Sequence, residues 1–432
     1  MVDQSTKQRI ADLLKDLEEK INNMGIPFAE GLTREIADLR RLLTEKRSPR
    51  FALVGRRGAG KSSLLNAIFG EQIARVGHEG AMTGEASWWD YNGQRGTLRV
   101  LDTRGVQEGS EPDEKDEAET AEESIKCALG EQRADAILFL VKATEVDAAI
   151  DGDIEALADI SGWLEETYGH RAPIVAVATH CDVLEPKKVE LHNPAGFPKR
   201  DIDEKRRRVT RITGDLKEKL RSCDELNDQL ADPLGVSSYM SWRDDETLRT
   251  DDRWQIDRLT QFLIDELPDQ AKFEMARLSQ VRFLQRRLAN RIVNSCGVIC
   301  AGIAFTPIPL ADIAPITGLQ TTMVIAIGYL GGRELDTKSA AEFLGAMGVN
   351  AAAGFAFREA TRALVQLIPV AGSAVSAAVA YAATYALGKA AIAYFIGGAD
   401  EEKAREIFKK EQGSGEERYE NIDLPAVVGE TG

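Results

Sequence analysis

Basic charge is what this sequence is short of. Lysine and arginine number 54 against 70 acidic residues, a formal net charge of −16. A general nucleic-acid binder needs clustered Lys and Arg against the phosphates, so the balance argues against that class. Cysteine is scarce as well. The five present are Cys127, Cys181, Cys223, Cys296 and Cys300, an odd, scattered set without a C-x-x-C pair. That pattern fits reduced thiols in a cytosolic setting rather than a disulfide framework or a zinc site. Cys296 and Cys300 share a helix face, but with no further ligands nearby they are expected to pack against neighbours. The opening Met-Val-Asp-Gln-Ser carries no signal-peptide pattern. Charge of either sign nearly vanishes between 292 and 397, where the runs 292–311, 313–332 and 363–388 have none.

What is present, and complete, is a phosphate-binding loop. Gly55-Arg56-Arg57-Gly58-Ala59-Gly60-Lys61-Ser62 reads G-x-x-x-x-G-K-S. The apolar run Phe51-Ala52-Leu53-Val54 before it predicts a buried strand, and Ser63 to Phe69 has helical spacing. In such a loop the glycines let successive N–H groups point inward at phosphate oxygens, and the helix N-terminus adds its dipole. Gly55, Gly58, Ala59, Gly60, Lys61, Ser62 and Ser63 are the expected phosphate cradle. Lys61 is the candidate for the β- and γ-phosphates and Ser62 for Mg²⁺.

At 432 residues the chain has room for two or three domains. Residues 1–48 predict a helical arm: Ile10, Leu13, Leu14, Leu17 and Ile21, then Leu32, Ile36, Leu39 and Leu43, stand at helical spacing. A break falls near Gly25-Ile26-Pro27. From 49 to 268 strands and helices alternate, with strands expected at 51–54, 86–91, 97–101, 136–141, 173–178 and 234–237. Such alternation predicts an α/β domain with a mostly parallel sheet and helices on both faces. Residues 185–232 form a charged insertion with helical stretches, such as Asp201 to Arg221. A hydrophobic helical domain is expected over 269–411, joined by the N-terminal arm into one all-α domain. A loose polar tail is expected over 412–432.

Further motifs choose the nucleotide. Asp102-Thr103-Arg104-Gly105 reads D-x-x-G: Asp102 is placed to hold Mg²⁺ through water, and the Gly105 N–H to sense the γ-phosphate. Thr83, in the glycine-flanked loop 77–85, is a candidate for closing on Mg²⁺ and the γ-phosphate. Thr179-His180-Cys181-Asp182 reads T-x-x-D. A carboxylate at Asp182 can accept both guanine N1–H and N2–H, which adenine does not offer. Ser237-Ser238, after the strand at 234–236, is expected to support the base through backbone donors. In this order and spacing, residues 50–268 resemble the translation-factor-class GTPases, within the Era-like, dynamin-like and immunity-related branches. The resemblance implies a P-loop GTPase fold, GTP and GDP as ligands, Mg²⁺ dependence and hydrolysis of GTP to GDP and phosphate.

Three positions depart from the family pattern. His180 stands where the family's base motif usually has Lys, and Arg104 where Pro is usual. Val106 follows Gly105, where Ras-like relatives keep a water-orienting Gln. A valine cannot orient water, so intrinsic turnover is expected to be slow and helped by another group. Arg56 and Arg57 are the candidates, because some large self-assembling GTPases that this chain resembles carry a cis-acting catalytic residue in that stretch. Either one of them stabilises developing charge once two GTPase domains meet as a homodimer, or both are solvated and steer the anionic nucleotide.

The apolar C-terminal region leaves three readings open: a soluble or conditionally exposed helical bundle, a bundle that inserts a hairpin into a membrane, or a permanent span. It resembles a hydrophobic helical domain that follows Era-like GTPase domains in many bacterial proteins, and more distantly the C-terminal helices of immunity-related GTPases. Residues 307–312, 367–372 and 380–388 carry that likeness. It implies membrane association, with a cytoplasmic chain lying peripherally or inserted at the inner face. The arginine-rich stretch 272–291, expected as one helix, suits either an anionic lipid surface or a solvated face with Phe273, Leu284 and Leu288 packed inward. The alternative to self-assembly at a membrane is a soluble GTP-dependent switch that docks a protein partner through the apolar helices. The acidic balance and lack of an RNA-binding module count against a ribosome-assembly role.

Overall fold

The computed structural model describes residues 4–23, 29–73, 86–102, 121–147, 150–169, 171–305, 314–347 and 374–420. They divide into two compact units, one of 48–279 and one that joins 1–47 with 280–432.

The first unit is an α/β domain. Its six-stranded sheet runs β2-β3-β1-β4-β5-β6, from β1 (Arg50–Val54), β2 (Ser87–Gly93), β3 (Gly96–Asp102), β4 (Ala136–Lys142), β5 (Ile174–Thr179) and β6 (Leu234–Gly235). All pairs are parallel except β2 with β3. β4 and β5 read as unbroken apolar runs because the sheet is covered on both faces. Phe139 and Ala176 pack with Leu157 and Ile160 of α5 (Asp151–Tyr168), and with Ile212 and Leu216 of α6 (Lys199–Arg221), in one buried cluster. α3 (Lys61–Phe69) follows β1, and α4 (Ala121–Glu131) precedes β4.

The strand order decides where a ligand can sit. The chain runs from β1 out to β2 and β3 on one side, then crosses from β3 to β4 on the other side of β1, so the order reverses at β1. Helices leaving on opposite faces open a crevice at the carboxyl end of that strand, where the glycine loop lies.

Two expectations need correction here. The stretch 272–291 is two helices, α8 (Asp269–Leu278) and α9 (Arg282–Phe305), broken at Gln280 with φ 57°. α8 packs on β3 of the α/β unit and buries Phe273, Met275 and Leu278, so the division falls after Ser279 rather than 268. A short antiparallel hairpin was not expected. It pairs β7 (Met240–Trp242) with β8 (Leu248–Asp251), ahead of α7 (Ile256–Glu266).

The second unit is all-α and combines the N-terminal arm with the apolar C-terminal helices. α1 (Gln4–Asn23) packs on α2 (Ala29–Thr44), α1 on α10 (Ala314–Leu330) and α2 on α9. α11 (Thr337–Ala346) packs on α10, and α12 (Ala374–Ala391) lies between α9 and α13 (Glu401–Glu420). α2 buries Leu32, Ile36, Leu39, Leu42 and Leu43, the stripe that its spacing predicts. α13 continues to Glu420, so residues 412–420 are helical where a loose tail was expected.

The apolar runs have a packed destination. Arg282–Phe305 and Ser376–Ile396 are long and apolar enough to cross a membrane, yet 72% and 78% of their apolar windows are buried inside the protein. Polar side chains pin them in register. Gln320 Nε2 donates to Thr384 Oγ1 at 3.0 Å, Lys389 Nζ to Asn290 Oδ1 at 2.7 Å and Ser295 Oγ to Glu35 Oε2 at 2.9 Å. Cys296 and Cys300 are fully buried in α9; burial raises both thiol pKa values, that of Cys300 to about 12.

Candidate functional site

The loop Gly55–Gly60 leaves β1 and enters α3 through Gly60. Gly58 and Gly60 adopt φ of 76° and 91°, the left-handed region that glycine enters without strain. The turn is closed by Ala59 N–H donating to Arg56 O at 3.0 Å and Leu64 N–H to Gly60 O at 2.8 Å. Lys61 opens α3, and its Nζ donates to Gly55 O at 2.8 Å, so the ammonium lies over the loop. Ser62 and Ser63 occupy the first turn, where helix N–H groups have no partner within the helix.

The T-x-x-D motif reaches the same loop from the end of β5. Thr179 Oγ1 donates to Ala59 O at 2.8 Å across 120 residues of sequence. His180 follows with φ 57°, its Nδ1 2.9 Å from Thr179 Oγ1. The threonine proton is directed at a carbonyl, so Nδ1–H donates to the hydroxyl oxygen. Burial lowers the His180 pKa, against the opposing pull of Asp182, and favours the neutral ring. The imidazole also lies against the glycine loop: a Cβ on Gly60 would stand 3.1 Å from His180 Cε1. Asp182 accepts from Ser237 Oγ at 3.0 Å through Oδ1.

The expected role of Ser237 changes here. Its N–H donates to Trp254 O at 3.1 Å and its carbonyl accepts from Trp254 N–H at 3.0 Å. Its backbone is therefore engaged, and it acts on Asp182 through its hydroxyl. Ser238 Oγ, on the next residue, is buried with no hydrogen-bond partner in the structure.

The two loop arginines differ. Arg56 Nε lies 2.8 Å from Asp153 Oδ2 of α5, whose side chain is only 4% exposed. Burial raises the Asp153 pKa although Arg56 pulls the other way. Arg57 is exposed. Asp102 ends β3, paired with Leu53 of β1, so it leaves the same sheet edge as the loop. Its side chain, and the residues Thr83, Arg104, Gly105 and Val106, lie outside the described residues.

A serine hydroxyl and a carboxylate are hard oxygen donors of the kind Mg²⁺ takes, and that ion needs few protein ligands when phosphates supply the rest. Ser62 offers such a donor at the start of α3, and Asp102 ends β3, where a carboxylate suits holding the ion through water. Among the described residues no cluster of three His, Cys, Asp or Glu could hold a metal alone.

Two residues at the site escape motif reading. Lys142 ends β4 within reach of the loop, since a Cβ on Gly58 would stand 3.3 Å from its Nζ, and it pairs with Glu145 at 3.0 Å. A basic residue closing a buried strand at the ligand-facing edge is the signal that could have found it. Asp153 has no signal beyond its place in the first turn of α5.

Residues 50–180 match the family model described as 50S ribosome-binding GTPase. GTPase Der from Agrobacterium fabrum is 29% identical over 113 residues, which are 26% of this chain and 23% of that protein. The tRNA modification GTPase MnmE from Chlorobium chlorochromatii is 30% identical over 133 residues, covering 31% of this chain and 25% of MnmE. The chain thus spans about a quarter of the length of these relatives. Among solved structures, Toc33 from Arabidopsis thaliana, in complex with GDP and Mg²⁺, aligns with a TM-score of 0.34 at 17% identity, over 56% of this chain and 91% of Toc33.

Proposed function

We propose that this protein binds GTP with Mg²⁺ and hydrolyses it to GDP and phosphate. The observation that carries this is the hydrogen bond from Thr179 Oγ1 to Ala59 O. It ties the phosphate loop to the motif that presents Asp182, so that one nucleotide can meet both. Lys61 and the loop amides neutralise phosphate charge, Ser62 and Thr83 hold the ion with Asp102 acting through water, and Asp182 accepts from the base. No general base is needed, since positioning and charge neutralisation dominate phosphoryl transfer to water. The family match over 50–180 supports the same reading.

The test is equilibrium binding of GDP and ADP to the full chain. A preference for GDP of at least about 100-fold is expected from a carboxylate accepting two base N–H groups. Asp182→Asn should remove most of it. Equal affinity for the two nucleotides would overturn the reading.

Conformational change, self-assembly and membrane attachment are finer readings of the same protein. Arg57 is exposed at the loop, which supports a catalytic role across a homodimer of GTPase domains, whereas Arg56 is already held by Asp153. Turnover per molecule should then rise with protein concentration, and Arg57→Ala should abolish the rise; turnover flat with concentration refutes the dimer. The burial of the apolar helices supports a packed bundle, in keeping with a soluble switch that docks a partner. Membrane attachment at the inner face, as in the dynamin-like or immunity-related reading, requires that bundle to open. Nucleotide-dependent flotation with anionic vesicles would favour it, and no flotation under any nucleotide would leave the soluble switch.

A further inference from the structure

The charged insertion between β5 and β6 contributes a lysine to the base-reading end of the site. α6 buries Lys205, Val209, Ile212, Leu216 and Leu220, a stripe at i, i+4, i+7, i+11 and i+15. Four of these are apolar and pack on the sheet. Lys205 is 0% exposed, a rare position for a lysine unless it is fully partnered. It is partnered: Nζ donates to Asp182 O at 2.6 Å, to Val189 O at 2.8 Å and, at the longer distance of 3.4 Å, to Pro186 O. An ammonium has three donors, and all three go to the segment that begins at the base-reading carboxylate. Burial lowers its pKa, and Asp182 is the largest opposing influence. The helix packs tightly on the sheet at this level: a Cβ on Gly235 of β6 would stand 2.5 Å from Val209 Cγ1 and 3.1 Å from Cys181 Sγ.

We propose that Lys205 is a positioning residue for base recognition, holding the main chain of Asp182 so that its carboxylate stands where guanine N1–H and N2–H meet it. This rests on the guanine reading above. Asp182 is then fixed from two sides, its side chain by the Ser237 hydroxyl and its main chain by the Lys205 ammonium. The insertion thereby becomes part of the specificity apparatus. The phosphate loop receives none of the three Lys205 bonds, so losing them should weaken base discrimination and spare phosphate binding.

The experiment measures GDP and ADP dissociation constants for the full-length wild type, Lys205→Met and Leu216→Ala. Lys205→Met should lose at least about 10-fold of the GDP-over-ADP preference, the effect of one lost charge-assisted bond, with ADP affinity changed less than about 2-fold. Leu216→Ala, on the same stripe, should unfold at lower temperature yet keep the preference. A preference intact in Lys205→Met, or an equal loss in Leu216→Ala, overturns the positioning role. A wild type without any preference sinks the guanine reading as well. Should Lys205→Met fail to fold, amine acylation of the native wild type decides. Lys205 should react at least about 10-fold more slowly than the exposed Lys187 and Lys188, and more slowly again with GDP bound. Equal rates, or no effect of GDP on Lys205, overturn the proposal.

Discussion

At His180 one side chain has two neighbours to satisfy: the glycine loop under its ring and the Thr179 hydroxyl at Nδ1. Burial at this contact disfavours the charged ring and lowers its pKa in the folded state. The sign of the linkage follows. Below the ordinary histidine range the unfolded chain takes up the proton and the folded one resists it, so folding weakens as pH falls. The stability contributed by neutral His180 is therefore complete above the ordinary value of 6.5 and lost as pH drops below it. Asn tolerates the left-handed backbone at this position. In denaturant titrations from pH 8 to pH 5, His180→Asn should lose less stability than the wild type. Parallel curves for the two proteins would show that the ring is not held neutral.

Among the helices, small residues set how closely two elements approach. A Cβ on Gly388 of α12 would stand 2.3 Å from Val293 Cγ2 of α9, whereas Gly413 of α13 has nothing within 4 Å. Gly388→Ala should therefore cost about 1–3 kcal/mol through overpacking, and Gly413→Ala should gain up to about 1 kcal/mol through helix propensity; thermal unfolding of the two variants should move in opposite directions. The elements that the sequence made legible share one property. β1, β4 and β5 are buried on both faces and so appear as plain apolar runs between polar turns, while α2 buries one regular stripe. The elements it hid lack that contrast. In the β7–β8 hairpin Leu248, Arg249 and Asp251 are exposed and Thr250 is half-buried, so the strand shows no apolar alternation. The break between α8 and α9 has neither Gly nor Pro, only Gln280 in a left-handed conformation. In the site, residues belonging to a spaced motif, from Gly55 to Ser62 and Thr179 to Asp182, could be named in advance. Lys205 could not, because a lysine on an apolar stripe reads as an interruption until the carbonyls it faces are known.

At the scale of the whole chain, the two units are built differently, and that difference is testable. The α/β unit is one continuous segment, 48–279, with its own buried core. Expressed alone, it should fold cooperatively and keep the GDP affinity of the full chain within about 3-fold, since every residue assigned to the nucleotide lies inside it. The helical unit is discontinuous, joining 1–47 to 280–432. Leu32 of α2 packs so closely on α9 that a Cβ on Gly302 would stand 2.5 Å from Leu32 Cδ1. A fragment of 280–432 alone would leave that face of α9 open to water, an apolar patch of the kind that drives association. It should aggregate or lose helicity, and a peptide of residues 1–47 added in trans should restore a monomeric helical species by circular dichroism and size-exclusion chromatography. The buried thiols give an independent reading of the same event. Cys296 and Cys300 should resist alkylation in the full chain, react in the fragment alone, and be protected again when the peptide binds. Thiols protected equally in all three would mean that the apolar helices close on themselves without the N-terminal arm.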